Sequence, residues 1–116
     1  MSTTPHLDRE ILMTLKDVME GDFMLLVETF INDSSERIRK LHELVPQGDA
    51  ETIRRAAHSF KGSSSNIGAS RLAELCSQIE TQALAGNLDV VPQQLTEIEV
   101  EFTRVTTLIQ EFNSVG

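Results

Sequence analysis

Leu95, Ile98, Phe102, Val105, Ile109 and Phe112 recur at alternating steps of three and four residues. That spacing places all six on one stripe of an α-helix, and a stripe this long has to be covered by helices packed lengthwise at a shallow crossing angle. In a chain of 116 residues there is room for one such core, so residues 1–116 are read as a single domain.

The remaining segments agree with a helical bundle. Leu7, Ile11, Leu15 and Met19, with Leu12 and Val18 beside them, describe a short amphipathic helix that Gly21 interrupts. From Asp22, expected as an N-cap, Phe23, Val27, Phe30, Ile31, Ile38, Leu41 and Val45 keep one face apolar as far as Pro46-Gln47-Gly48. Another helix opens at Asp49 or Ala50, a stripe from Leu72 to Leu84 gives the next, and Pro92 suits the first turn of the last. No segment sustains period-two alternation. Connections of about three to six residues make neighbours antiparallel. The expected fold is all-α: an up-down-up-down four-helix bundle with a short additional N-terminal helix.

Composition removes several function classes. The formal charge of −8 opposes binding to a nucleic-acid backbone. No apolar run is long enough to span a bilayer, and MSTTPHLD lacks the basic and apolar regions of a secretory signal, so a cytoplasmic location is expected. The lone Cys76 shares the apolar stripe of Leu72, Leu75 and Ile79 and reads as a core residue. His6, His42 and His58 stand far apart, and no Cys or His pair has structural-zinc spacing, so neither metal nor other cofactor is expected.

The stretch Ala57-His58-Ser59-Phe60-Lys61-Gly62-Ser63-Ser64-Ser65-Asn66-Ile67-Gly68 has the composition of a phosphate-cradling loop. A nucleotide loop needs four residues between its glycines and then Lys-Ser/Thr, whereas five residues separate Gly62 from Gly68 and Ala69 follows. A helix fits better. At 100° per residue from Ile53, Ala57 lies near about +40°, Phe60 near about −20°, Ser64 near about +20° and Ile67 near about −40°, one narrow face. Gly62 costs about 1 kcal/mol relative to alanine, and each serine and Asn66 about half of that. Burying Ile53, Phe60 and Ile67 returns about 1.5 to 3 kcal/mol each, so the segment is helical within the bundle and not alone.

On that wheel His58 lies near about 140°, off the core, with Arg54 and Arg55 one turn before it and Lys61 and Gly62 one turn after. Glycine at i+4 leaves clearance for a partner's surface beside the imidazole. If the helices on either side of Ala69 form a hairpin, His58 and Glu80, each eleven residues from the pivot, stand level. A carboxylate there would accept from Nδ1–H and leave the Nε2 lone pair facing outward as a nucleophile. His6 and His42 lack such a setting and read as surface or structural residues.

The pattern His58-x-x-Lys61-Gly62, with Gly68 six residues on, resembles the signature of histidine-containing phosphotransfer (HPt) domains, the carriers of multistep phosphorelays in two-component systems. Phe30, Gly48-Asp49, Ala56-Ala57 and Leu72 through Glu80 extend the resemblance over most of the chain. The resemblance implies a stand-alone phosphocarrier without kinase activity of its own. His58 would take a phosphoryl group on Nε2 from the aspartyl phosphate of a receiver domain and pass it, reversibly, to another receiver. Lys61 would contact the phosphoryl oxygens, Glu80 would orient Nδ1, and Gly62 would give clearance. Leu12, Leu15, Arg54, Arg55 and Ser65 would meet the receiver. Mg²⁺ would belong to the receiver alone, and the carrier would be a monomer. Some family members carry glutamine where Glu80 stands.

Two other readings compete. One is a helical adaptor that binds receivers or other partners through an apolar surface and never carries phosphate. The other is a dimerisation fragment of a sensor kinase, which five helices in one chain disfavour.

Overall fold

The computed structural model describes residues 4–115, and for residues 114 and 115 only the backbone. Five α-helices follow one another: α1 Arg9–Met19, α2 Phe23–Leu44, α3 Ala50–Asn66, α4 Ser70–Leu84 and α5 Val91–Val115. There is no strand among the described residues. Helices α2 to α5 form the antiparallel four-helix bundle, in which α3 packs on α2 and α4, and α5 on α2 and α4. The bundle is 43 Å in its longest dimension. Helix α5 sets most of that length, since 25 residues rising about 1.5 Å each span about 37 Å.

The stripe on α5 forms one wall of the core. Leu95, Ile98, Val105 and Ile109 are buried, while Phe102 and Phe112 sit at its margin against Phe30 and Phe23, with ring centroids 6.4 and 6.2 Å apart. Opposite them, Ile53, Ala57, Phe60 and Ser64 of α3 and Leu72, Cys76 and Ile79 of α4 are buried. The glycine- and serine-rich stretch is therefore helical through Asn66, held by its apolar face despite poor intrinsic propensity.

Helix ends follow local chemistry at some places and not at others. Asp49 caps α3 by accepting from the Thr52 amide, and Asp8 caps α1 by accepting from the Glu10 and Ile11 amides. Asp22, expected to cap α2, makes no side-chain cap bond. A 3₁₀ turn over Glu20–Asp22 runs straight into α2, and the Phe23 amide already donates to the Glu20 carbonyl. The bend after α1 also falls one residue before Gly21: Glu20 itself has φ 48°. Leu7 precedes the first helix, and Val18 points to solvent. Leu12 is fully buried beneath α1, so this residue, expected to meet a partner, belongs to the core. Tertiary packing turned α1 so that Leu12 faces inward.

The only buried charged residue among those described is Glu101 on α5. His6 Nδ1 lies 2.7 Å from its Oε2, and Arg104 Nη1 stands 3.2 Å from His6 Nε2. His6 therefore ties the segment before α1 to α5, a structural role that keeps a buried carboxylate partnered.

Gly68 joins α3 to α4 with φ 84°. Its carbonyl accepts from the Asp8 amide at 2.7 Å. A Cβ added there would stand 3.0 Å from the Asp8 carbonyl oxygen and 3.2 Å from Ile11 Cβ. Backbone conformation and close approach both require glycine. Gly68→Ala is therefore expected to lower the unfolding free energy in urea by about 1 to 3 kcal/mol. Gly62→Ala, where a Cβ meets nothing within 4 Å, is expected to raise it by about 0.5 to 1 kcal/mol.

Candidate functional site

Helix α3 presents its residues to three sides. His58, Gly62 and Ser65 lie on the outward face, all exposed. Lys61 lies on the flank toward α4, and Ser59 on the flank toward α2. This division follows from the 3.6-residue period once Ile53, Ala57, Phe60 and Ser64 are buried.

The α3–α4 hairpin brings His58 level with Glu80. Nδ1 of His58 lies 2.7 Å from Glu80 Oε2, and Lys61 Nζ donates to Glu80 Oε1 at 2.8 Å. One carboxylate thus joins the imidazole and the ammonium. The His58 side chain remains 64% exposed while that of Glu80 is 18% exposed, so the ring is held at its inner edge and open at its outer one. With Nδ1 engaged as a donor, the tautomer carries its free lone pair on Nε2.

Charge at the site is organised in pairs. The hydrogen bond from Lys61, and after it the one to His58, hold the Glu80 carboxyl below its ordinary value against the opposing effect of burial. One turn before His58, Arg54 donates to both oxygens of Glu51 and Arg55 Nε donates to Oε1. Those bonds lower the Glu51 carboxyl to about 2. The three cations expected around His58 are each tied to an acid, which moderates their field on the ring.

Other contacts could not be read from the sequence. Arg37 on α2 donates from Nη1 to Ser59 Oγ at 2.6 Å, which places a further cation beside the residue next to His58. A shallow groove lined by Leu15 and Met19 of α1, Leu26 and Phe30 of α2, and Ser63, Asn66 and Ile67 runs along the other flank of α3. Leu15, unlike Leu12, reaches this surface. Spacing alone revealed the polar residues of the outward face but not which neighbouring helix supplies the groove.

Cys76 is buried, and burial pushes its thiol up to about 12, which leaves it protonated and unreactive near neutrality. Among the described residues no cluster of three or more His, Cys, Asp or Glu side chains could hold a metal ion, and no helix is long and apolar enough to cross a membrane.

Comparison with known proteins places this geometry in context. Residues 25–113 match the family model described as Hpt domain. The crystal structure of histidine-containing phosphotransfer protein B (HptB) from Pseudomonas aeruginosa PAO1 is 41% identical. The match covers 98% of this chain and 99% of that one, with a TM-score of 0.92. Histidine-containing phosphotransfer protein MtHPt2 from Medicago truncatula is 26% identical over 96% of this chain and 84% of that one, TM-score 0.74. ZmHP2 from maize, 23% identical over 96% and 91%, shares the fold with a TM-score of 0.82. No curated protein sequence matches.

Because the Glu80 carboxyl is depressed in the folded state, the stability it contributes is present above the ordinary glutamate range and is lost as pH falls through its lowered value. Glu80→Gln is expected to lower the urea midpoint near neutral pH by an amount equivalent to about 1 kcal/mol or less. The gap between variant and parent should close as the solution is acidified below the glutamate range; a gap constant with pH would disprove the linkage.

Proposed function

The chain belongs to the Hpt domain family, and from that membership we propose that His58 is its phosphoacceptor in a reversible His-Asp phosphorelay. A phosphorelay role and interaction with receiver domains of response regulators come with the family. The observation that carries the residue assignment is the exposed imidazole whose Nδ1 meets an ionised carboxylate, leaving Nε2 outward.

In the forward step the Nε2 lone pair attacks the phosphorus of a receiver's aspartyl phosphate. The P–O bond breaks, its electron pair stays on the aspartate, and a P–Nε2 bond forms. Discharge to a second receiver runs the same exchange in reverse. The carrier contributes a nucleophile of fixed tautomer and orientation. Lys61, whose ammonium has three protons and spends one on Glu80, contacts the phosphoryl oxygens with the others. Gly62 leaves open space beside the ring. Mg²⁺ is supplied by the receiver, where it stabilises the transferring group, and the chain itself is a carrier with no kinase activity. We place it in the cytoplasm as a monomer.

The receiver meets the outward face of α3 and the adjoining groove. Ser65 is exposed on that face, Leu15 lines the groove, and Arg54 and Arg55 border the histidine. The same groove is the one feature that favours a phosphate-free adaptor. The two readings part on labelling alone.

Mixed with a radiolabelled phosphoreceiver and Mg²⁺, the protein is expected to acquire acid-labile, base-stable phosphate, and His58→Gln to acquire none. Label persisting in that variant would refute the assignment, and no label with any receiver of the source organism would favour the adaptor. Loss of one charge-assisted contact in Lys61→Ala is expected to slow transfer about tenfold to a hundredfold with helical content unchanged. Gly62→Gln is expected to retain the fold while weakening receiver binding in calorimetry; unchanged affinity would show that clearance beside the ring is immaterial.

A further inference from the structure

Glu80 serves two neighbours with two oxygens: Oε2 faces His58 Nδ1 and Oε1 faces Lys61 Nζ. Both neighbours are donors in this arrangement, so the position calls for an acceptor on each side. A glutamine would offer its oxygen to one and turn its NH₂ group toward the other. The geometry therefore uses the charge and double acceptor capacity of a carboxylate, and its consequence lies in the phosphorylated state.

When Nε2 bears the phosphoryl group and Nδ1 keeps its proton, the ring is cationic. On discharge the incoming aspartate oxygen forms its bond to phosphorus, the P–Nε2 electron pair returns to Nε2, and the ring departs as neutral imidazole. A ring that had lost the Nδ1 proton would have to depart as an imidazolate anion, a far poorer leaving group. The surrounding charges bear on that proton. From α3 come Lys61 and the Glu51-bound Arg54 and Arg55; from α2 comes Arg37 at Ser59; from α4 come Glu80 and the protonated, buried Cys76. Lys61, Arg54, Arg55 and Arg37 oppose a proton on Nδ1, the phosphoryl group and the carboxylates of Glu51 and Glu80 favour it, and Glu80 is the carboxylate in contact with the ring.

Resting on the reading of His58 as phosphoacceptor, we propose that Glu80 is a positioning residue that sets the pH range over which phospho-His58 can be discharged, by holding the proton on Nδ1 against the neighbouring cations. Lys61 acts in opposition, because its positive charge and its hold on Oε1 both weaken what Glu80 gives the ring.

Phosphoramidate, a small phosphoryl donor that needs no receiver, loads the histidine in wild type and variants. The decay of phospho-His58 is then followed by ³¹P NMR across about pH 5 to 9, with the His58 Cε1–H shift reporting ring protonation. Discharge is expected to slow as pH rises through a midpoint. In Glu80→Gln that midpoint should move down by about one pH unit, in Lys61→Met it should move up, and in Glu80→Asp, which retains the charge, it should stay nearer to wild type than to the glutamine variant. Opposite displacements are not produced by a merely structural role. Coincident midpoints in wild type and Glu80→Gln, or displacement of Glu80→Gln and Lys61→Met in the same direction, would overturn the proposal. Failure of phosphoramidate to label His58 in the wild type would instead refute the phosphoacceptor reading itself.

Discussion

The turn at Gly68 fixes the register on which the rest of the molecule depends. Its left-handed backbone closes the α3–α4 hairpin, and its carbonyl receives the Asp8 amide that starts α1. A hairpin sliding by one residue would rotate each helix face by about 100° relative to its partner and carry Glu80 away from His58. One tight turn thus anchors the leading helix and aligns two side chains 22 residues apart in sequence. The absence of space for a Cβ there explains why both tasks fall to a glycine.

Stability and accessibility divide along the faces of α3. Its inward face, Ile53, Ala57, Phe60 and Ser64, is packed and compensates for a composition that would not form a helix in isolation. Its outward face carries His58, Gly62 and Ser65 and owes nothing to the core. A histidine on this face can be approached from solvent without any helix moving, because its backbone is fixed by residues on the other side. The same separation leaves that surface free to be small and polar.

Electrostatics at the site are a set of local pairings within a chain of net negative charge. Lys61 and Glu80, and Glu51 with Arg54 and Arg55, keep charge near His58 without leaving it unpartnered. Exposed pairs of this kind contribute little to folding. The buried Glu101 with His6 differs in kind: there the partner prevents a desolvation cost, and the pair secures the segment ahead of α1.

The amino-acid sequence by itself determined the helical class, the α5 seam, the core face of α3 and the level placement of His58 with Glu80, because each follows from a 3.6-residue period and a chain-length constraint acting within one or two helices. It misjudged Leu12 and Asp22, whose roles depend on how α1 rotates and joins α2. Only the tertiary structure decided that Leu12 is core while Leu15 reaches the groove, that Arg37 stands at Ser59, and that His6 partners Glu101. Those outcomes are contacts between segments far apart in the chain, chosen by packing volume and by the need to satisfy buried polar groups, and no local periodicity encodes them.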